Sequence, residues 1–490
     1  MFRSAVSTLA LMAAMPASAQ DAAGDQPITV SEAAALRAEL AALRKEVAAL
    51  KADKTKIEAA VPSWKGAPQF SDSAAGFSFK PKGQIQVDGG FVSNPGATGG
   101  IVGPVTAAFG AAGVNTNNLG FNTRLRRVNV GAEGALPGGF GYSFEFELSQ
   151  GSVGYEDIVL TYQRKGSPLQ LRIGHQYPLS SLEIMTSSKF TSFLERAGSS
   201  DVFGFGRRLG LTLSYAKDDV TLAGGLYSED GSTTNFARTG WQASGRGTWS
   251  PKFGDVQAHL GFNVQHRVQP RDAQNVRYRM RPFTQITDQR FLDTGRIAAD
   301  GDDILGVELG GTFKALHFAA EAQKLWVRGY QNPVLAFGAN NGTGGASAFL
   351  VGDPSFFSGY VEAGYFLTGE TRGYKGGRWD RTKVLHPFDK GGWGALQINA
   401  RIDHSDVQDK VGGGAITPGS LNFASGGKQT GYEASLIWLP SDYLKFLAQF
   451  VHLAVTGGPA AVAAFTSVTP AFQDRRYSSD VMTVRAQIDF

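Results

Sequence analysis

The last ten residues of the chain, VMTVRAQIDF (Val481–Phe490), alternate between apolar and polar side chains. Because successive side chains of a β-strand point to opposite faces, this period of two predicts a strand with one apolar and one polar face. The polar face carries Thr483, Arg485, Gln487 and Asp489. Charged and polar groups on one side and apolar groups on the other indicate a strand that separates water from an apolar phase.

The same alternation recurs along the chain after about residue 80. FGYSFEFELSQ (Phe140–Gln150), RRLGLTLSYA (Arg207–Ala216) and GWQASGRGTWS (Gly240–Ser250) are further examples. We count about sixteen such segments, which start near residues 83, 121, 140, 154, 168, 207, 219, 240, 254, 303, 316, 357, 393, 430, 444 and 481. Their connections mostly alternate between short and long. Two depart from this rule: 149–154 is short where a long one is due, and 368–392 is long where a short one is due.

An even number of alternating strands, with short turns at one end and long loops at the other, is typical of an outer-membrane β-barrel. A soluble β-sandwich or propeller also alternates, but the chain has no repeat period, starts like an exported protein and ends in an aromatic residue. We therefore predict an all-β chain with a 16-stranded antiparallel transmembrane β-barrel over residues 81–490. Such a barrel is wide enough for a water-filled channel.

The residues before the barrel predict three further segments. Residues 1–19, MFRSAVSTLALMAAMPASA, have the charged start, short apolar run and small-residue cleavage site of a signal peptide. Residues 20–60 predict a short periplasmic coiled-coil helix, and residues 61–80 a linker broken by prolines. The coiled-coil seam consists of Leu36, Leu40, Leu43, Val47, Leu50 and Ile57, with Lys54 in the remaining core place. A single amphipathic helix or a spacer is the alternative.

Composition argues against several other classes of protein. The chain has no cysteine, which rules out disulfides and cysteine-based metal or redox motifs. Its seven histidines do not have metal-ligand spacing, so we expect no metal and no other cofactor. The formal net charge of +4 is too small to predict binding to nucleic acid.

Strand phase assigns many charged residues to the lumen, because a charge that faces lipid costs about 2–4 kcal/mol at the membrane midplane. Five arginines lie on the polar phase of their strands: Arg172, Arg208, Arg246, Arg401 and Arg485. Three more have an ambiguous phase, which a β-bulge would resolve by turning all of them inward: Arg124, Arg126 and Arg127. Six carboxylates share the inner face: Glu145, Glu147, Asp157, Glu308, Glu362 and Glu433. The lumen is therefore either a salt-bridged wall that only stays wet, or an arginine track that attracts anions.

The stretch GHQYPLSSLEIMTSSKFTSFLERA (Gly174–Ala197) is crowded with hydroxyls and contains a histidine and two glutamates. These side chains suit a hydrolase, but no G-x-S-x-G elbow is present, and proximity in sequence is not triad geometry. We predict no catalytic residues and no enzyme activity. The stretch instead forms the first half of the third long connection, about 175–206. We expect this connection to fold inward and narrow the pore.

Two cations of this connection, Lys189 and Arg196, allow two interpretations. They either contact a passing anion or pin the loop to the barrel wall through Glu183 and Glu195. The surrounding hydroxyls would serve as hydrogen-bond partners for a solute that sheds water, rather than as nucleophiles.

Four stretches resemble the family of phosphate-selective porins O and P: RLRRVNVGAEGAL (Arg124–Leu136), Gly174–Ala197, GYFLTGETRGYK (Gly364–Lys375) and HPFDKGGWGALQINARIDHSD (His386–Asp406). The resemblance covers roughly residues 80–490. It implies a homotrimer of 16-stranded barrels, each with its own pore, and a short N-terminal coiled coil as in many members. It also implies that Arg126 and Arg127 serve the anion route. Tyr177 stands where members commonly have lysine, which argues against strict phosphate selectivity, although the track could still be supplied by Lys189, Arg196, Arg207 and Arg208.

Together these observations predict a porin in the outer membrane of a Gram-negative bacterium, for passive diffusion of small anions such as phosphate or related oxyanions. A porin of the same fold for organic acids or sugars, with weak anion preference, is the alternative. An adhesin or receptor role for the long loops is a third interpretation. The expected partners are small anionic solutes, outer-membrane lipid and further copies of the chain, without nucleic acid.

Overall fold

The structure, a computed structural model, describes residues 30–60, 63–64, 66–72, 74–97, 119–228, 239–270, 274–329, 350–409, 424–458, 474 and 476–490. The chain divides into two compact units, Met1–Val61 and Pro62–Phe490. In the first unit, helix α1 spans Val30–Ala60, a segment rich in the helix formers alanine, leucine, glutamate and lysine. The predicted signal peptide lies outside the described residues. In the part of the chain that is described, no helix is long and apolar enough to cross a membrane.

Sixteen long strands build the second unit, counted over the described residues. They are β1 (Phe77–Val92), β2 (Gly120–Leu136), β3 (Phe140–Glu147), β4 (Gly154–Tyr162), β5 (Leu169–Gln176), β6 (Arg208–Lys217), β7 (Val220–Ser228), β8 (Trp241–Trp249), β9 (Val256–Val268), β10 (Ile297–Phe313), β11 (Leu316–Gly329), β12 (Ser355–Phe366), β13 (Ala395–Asp409), β14 (Ala424–Ser441), β15 (Leu444–Thr456) and β16 (Arg476–Asp489). Each strand pairs antiparallel with the next, and β16 pairs with β1. The sheet is therefore a closed 16-stranded antiparallel barrel, which confirms the predicted fold.

The end of the chain closes the barrel. In β16, Arg485 pairs with Asp88 of β1 in register. Beyond the strand, the backbone N–H of Phe490 donates to the Gly83 carbonyl at 3.1 Å, and the N–H of Gly83 donates back to the Phe490 carbonyl at 3.0 Å. Closure leaves no unpaired strand edge, which is the condition for a sheet to cross a membrane.

The period of two decides which side chains meet lipid and which meet the lumen. In β16, Met482 is 61% exposed and Val484 is 58% exposed on the outer face. On the inner face, Arg485 is only 3% exposed because the interior of the barrel is partly filled. An apolar exterior with a polar interior is the arrangement that a bilayer stabilises.

Both predicted departures in connection length are present. The connection between β3 and β4, residues 148–153, is short, whereas that between β12 and β13, residues 367–394, is long. The long one contains a small hairpin of Gly373–Lys375 with Arg378–Asp380. We call residues 371–382 the inner hairpin, because Arg372 and Trp379 are buried against luminal groups.

The connection between β5 and β6, residues 177–207, is here called the inner loop. It contains two single-turn helices, α2 (Leu182–Met185) and α3 (Gly198–Val202). Before β1, the short strands Ser63–Trp64 and Pro68–Asp72 pair with each other, and the second continues onto β1 by pairing Phe70 with Phe79. Several of the remaining long connections lie largely outside the described residues.

Candidate functional site

The inner loop lies inside the barrel, where its apolar side chains are buried and its carboxylates accept hydrogen bonds. Leu182, Phe193 and Leu194 are buried. Glu195 accepts hydrogen bonds from Arg126 of β2 at 2.7 and 2.9 Å, and from Arg485 of β16 at 3.1 Å. A carboxylate held between two arginines of different strands fixes the loop to the wall by charge as well as by packing.

Backbone groups of the inner loop make further contacts with the strands that follow it in the chain. The N–H of Glu183 donates to Glu321 of β11 at 2.6 Å. The N–H of Leu194 donates to Gln449 of β15, and that of Gly198 to Asp403 of β13, each at 2.7 Å. The loop therefore occupies the side of the lumen formed by β11–β16.

The opposite side of the lumen, along β1–β8, stays open as a cavity of about 1000 Å³. The inner loop and the inner hairpin form its other walls. Among its described lining residues are eleven lysines and arginines: Lys80, Lys82, Arg127, Arg172, Lys189, Arg196, Arg207, Arg246, Lys375, Arg378 and Arg381. Only five lining residues are acidic: Glu133, Glu145, Glu156, Asp157 and Asp380. The open lumen therefore carries an excess of positive charge.

Six of the eleven residues predicted to line an anion track lie on this cavity: Arg127, Arg172, Lys189, Arg196, Arg207 and Arg246. The other five lie elsewhere. Arg124 donates to the Gln285 carbonyl at 2.6 Å, and Arg208 borders a small cavity beside Tyr177. Arg126, Arg401 and Arg485 are bound to carboxylates between the inner loop and the wall.

Ion pairing divides the six cavity-lining residues into two groups. Arg172 lies 2.7 Å and Arg207 2.6 Å from the carboxylate of Asp157, and Arg246 lies 2.6 Å from Glu308. Arg207 also pairs with Glu156, so Glu156 and Asp157 together offset the charges of the first two arginines. Glu308 offsets that of Arg246.

The second group has no carboxylate within ion-pair distance among the described residues. Arg127 donates to the amide oxygen of Gln86 at 2.7 Å. Lys189 donates to the Gly83 carbonyl at 2.9 Å. Arg196 donates to two loop carbonyls at 3.1 and 2.7 Å. Because neutral acceptors leave the cationic charge uncompensated, these three residues are the strongest candidates for contact with an anion.

A β-bulge settles the ambiguous phase of the arginines in β2. Gln86 of β1 pairs with Arg127, but the next residue, Val87, pairs with Leu125, so Arg126 is the extra residue. Leu125, 54% exposed, keeps the outer face. The bulge thus lets the lumen receive arginines from both phases, as the sequence suggested, and the inserted Arg126 reaches Glu195.

Tyr177 lies between two arginines at the start of the inner loop. The guanidinium of Arg207 stacks 4.2 Å from the ring centre, and that of Arg196 lies 5.7 Å away. Burial acts to raise the pKa of Tyr177, but the two arginines outweigh it and hold the pKa below its ordinary value. The ring orders two cations at the cavity wall.

The inner hairpin supplies cavity cations that the sequence reasoning missed. The side chains of Lys375 and Arg378 are exposed, line the cavity and form no ion pair with a described residue. Arg246 holds the hairpin tip by donating to the Gly377 carbonyl at 2.7 Å. The sequence did contain an indication of these cations. The connection between β12 and β13 is unusually long and basic for the end of the barrel that has short turns, and such a connection must go either outward or into the lumen.

The hydroxyl-rich stretch does not assemble a hydrolytic triad in the structure. His175 Nδ1 lies 2.6 Å from the Glu156 carbonyl oxygen. The Glu183 carboxylate accepts from the N–H of Ala197 at 3.3 Å and lies 3.7 Å from Arg401. Over the described residues, no group of three or more potential ligands could hold a metal ion.

A closed sixteen-stranded barrel with an apolar exterior and an open polar lumen defines a porin of the outer membrane. The sequence model of the family described as phosphate-selective porin O and P matches residues 100–490. The chain belongs to this family.

Individual proteins are also similar to this chain. An uncharacterized protein of Caulobacter vibrioides is 34% identical over 440 residues, which cover 87% of this chain and 77% of that protein. Among solved structures, outer-membrane expressed OmpT of Vibrio cholerae is similar with a TM-score of 0.47 and 10% identity, covering 86% of this chain and 99% of that one. An anion-selective porin from Comamonas acidovorans has a TM-score of 0.45 and 12% identity, with coverages of 84% and 100%.

Proposed function

We propose that the protein forms a passive channel for small anions, with phosphate and related oxyanions as preferred solutes. The observation that carries this proposal is the charge of the open cavity, where eleven described lysines and arginines outnumber five carboxylates. A wall that served only to keep the channel filled with water would need no excess of positive or negative charge. A positive wall in a confined channel raises the local concentration of anions and lowers that of cations.

Within the cavity, Arg127, Lys189 and Arg196 act as the contact residues. The guanidinium groups of the two arginines present forked N–H donors that fit two oxygens of one oxyanion. Ser187 and Ser188 of the inner loop line the same cavity. Their hydroxyls replace water around an anion that sheds part of its hydration shell, so that passage does not require full dehydration.

A second candidate function is a channel for organic acids or sugars with weak anion preference. Tyr177 favours it, because an aromatic ring ordered by Arg207 offers an apolar face rather than the ammonium donor that a lysine would place there. In either case we infer a homotrimer surrounded by outer-membrane lipid, as the family resemblance implies.

Electrophysiology on the purified protein in planar bilayers tests the proposal. Under a KCl gradient, the sign of the reversal potential is expected to report chloride as the more permeant ion; cation preference would overturn the proposal. Phosphate is then added to a chloride solution. A reduced chloride current at low millimolar phosphate supports oxyanions as the preferred solutes, whereas an unchanged current favours the second candidate.

A further inference from the structure

The segment of the inner loop that carries Lys189 is held by contacts from three strands. Lys445 of β15 donates to the Lys189 carbonyl at 2.9 Å, and Gln487 of β16 donates to the same carbonyl at 3.1 Å. The ammonium of Lys189 donates in turn to the Gly83 carbonyl of β1 at 2.9 Å. Backbone and side chain are both fixed, so the Lys189 ammonium has a defined place on the wall of the open cavity.

Behind this segment the inner loop is not tightly packed against the barrel. A cavity of about 40 Å³ lies between residues 189–192 and the wall formed by β13–β16. A space of this size has room for only a few water molecules. Arg381 of the inner hairpin borders it. Because packing supports the segment incompletely from behind, its position depends on a small number of polar and aromatic contacts.

The guanidinium of Arg381 lies between two aromatic rings. It is 5.1 Å from the ring centre of Phe190 in the inner loop and 4.5 Å from that of Tyr443 in the turn between β14 and β15. It also pairs with the carboxylate of Asp489 and donates to the Asp442 carbonyl. One side chain of the inner hairpin therefore touches the inner loop, the β14–β15 turn and β16.

Tyr443 offers Arg381 a fixed surface, because it packs against the short hairpin that precedes β1. A Cβ atom added to Gly66 of that hairpin would lie 2.3 Å from a carbon of the Tyr443 ring, so only glycine allows this approach. The backbone of Tyr443 is held as well, since the N–H of Asp489 donates to its carbonyl at 2.9 Å. A ring fixed in this way holds the guanidinium that stacks on it.

We propose that Arg381 is a positioning residue of the channel: it stacks on Phe190 and thereby holds the neighbouring Lys189 where this lysine contacts a passing anion. The inference rests on the anion contact proposed above for Lys189. Arg381 adds little field of its own, because Asp489 is its ion-pair partner. Its effect on the choice of solute therefore passes through the inner loop rather than through its own charge.

The variant Tyr443→Leu tests the proposal, since it removes the ring that supports Arg381 and leaves every charge in place. We expect the phosphate concentration that halves the chloride current to rise about threefold, the size of a weakened cation–π contact. Tyr443→Phe keeps the ring and should behave like the natural chain. The matched control is Tyr162→Leu, an outward-facing tyrosine at the same end of the barrel, which should leave the block unchanged. Equal effects of the two leucine variants would overturn the proposal.

A second background separates positioning from a general structural effect. Lys189→Gln removes the proposed contact, so adding Tyr443→Leu to it should weaken the phosphate block no further. An equal effect of Tyr443→Leu in both backgrounds would show that Arg381 does not act through Lys189. If phosphate does not block the natural chain, the proposed preference for oxyanions fails, and the same comparison is made on the permeability of chloride relative to potassium. Failure of this inference is therefore distinguishable from failure of the proposed function.

Discussion

At the scale of single residues, the partner of each luminal arginine matters more than its presence. Arg172 and Arg127 both line the open cavity, but the first is paired with Asp157 and the second donates to Gln86. An arginine with a carboxylate partner contributes little net field to the channel, whereas one with a neutral partner contributes a full charge. Strand phase predicted that Arg172 would face inward and left Arg127 ambiguous. It could not predict this difference in partners, because the partners come from neighbouring strands.

Replacing Arg127 with glutamine is expected to weaken anion preference. A unit charge about 8 Å from a passing ion is worth roughly 1 kcal/mol in a partly aqueous pore, or about fivefold in relative anion permeability. Reversal potentials under a salt gradient measure the effect. The matched control is Arg164→Gln, in the short turn between β4 and β5, which should leave the potential unchanged. Equal shifts in both variants would contradict the role of Arg127.

Tyr177 makes anion preference depend on pH. Its pKa is held below the ordinary value by Arg207 and Arg196, against the effect of burial. As pH rises through that lowered pKa, the phenol ionises and places a negative charge between the two arginines. Anion preference should then fall by about twofold between neutral and alkaline pH. Reversal potentials measured across this range should show the fall in the natural chain and lose it in Tyr177→Phe; the same fall in that variant would exclude Tyr177 as its origin.

At the scale of elements, the lumen is divided by two connections that fold inward from opposite ends of the barrel. The inner loop, residues 177–207, was predicted from its position and composition as a connection over about 175–206. The inner hairpin was not predicted, although its unusual length was noted. The inner loop and the inner hairpin meet where the backbone N–H of Trp379 donates to the hydroxyl oxygen of Thr186 at 3.3 Å. A contact between segments so distant in sequence depends on the barrel that holds both, so no local pattern reports it.

Glu195 is expected to be the main anchor of the inner loop. Its pKa is held well below the ordinary value, because Arg126 and Arg485 outweigh the effect of burial, so the group is charged at neutral pH. Glu195→Gln leaves the largely buried Arg126 without its carboxylate partner, whereas Arg485 keeps Asp88. Breaking a buried ion pair in this way typically costs about 3–5 kcal/mol. We expect the loop to undock, which single-channel recordings would detect as larger and noisier conductance. Glu133→Gln, which removes a cavity carboxylate far from the loop anchor, is the control; a quiet channel of natural size in Glu195→Gln would refute the anchoring.

At the scale of the whole molecule, the chain consists of a helical unit and a barrel unit. The barrel is closed by the pairing of β16 with β1, which joins residues as distant in sequence as Asp88 and Arg485. Its strands make all their ladder hydrogen bonds within this unit. The barrel should therefore not require helix α1 in order to fold or conduct.

Deleting residues 20–61, while keeping the predicted signal peptide, tests this independence. The shortened chain is expected to reach the outer membrane and to retain the heat-modifiable gel mobility of a folded barrel, because every barrel strand is present. Its single-channel conductance and reversal potential should match those of the full chain. A product that stays unfolded, or a channel with altered selectivity, would show that the helical unit contributes to the barrel.

The sequence by itself determined the number of strands, the face that most strands turn to lipid, the alternation of short and long connections and the family. These properties are local, because a period of two is imposed by the geometry of the strand on residues that follow one another. The tertiary structure alone decided which luminal charges are compensated, which side of the lumen the inner loop fills and where the inner hairpin goes. Those properties depend on closure and register, which bring together carboxylates and guanidinium groups that no sequence spacing relates. Which of the predicted luminal cations lack a carboxylate partner among the described residues, namely Arg127, Lys189 and Arg196, emerges only from the folded barrel.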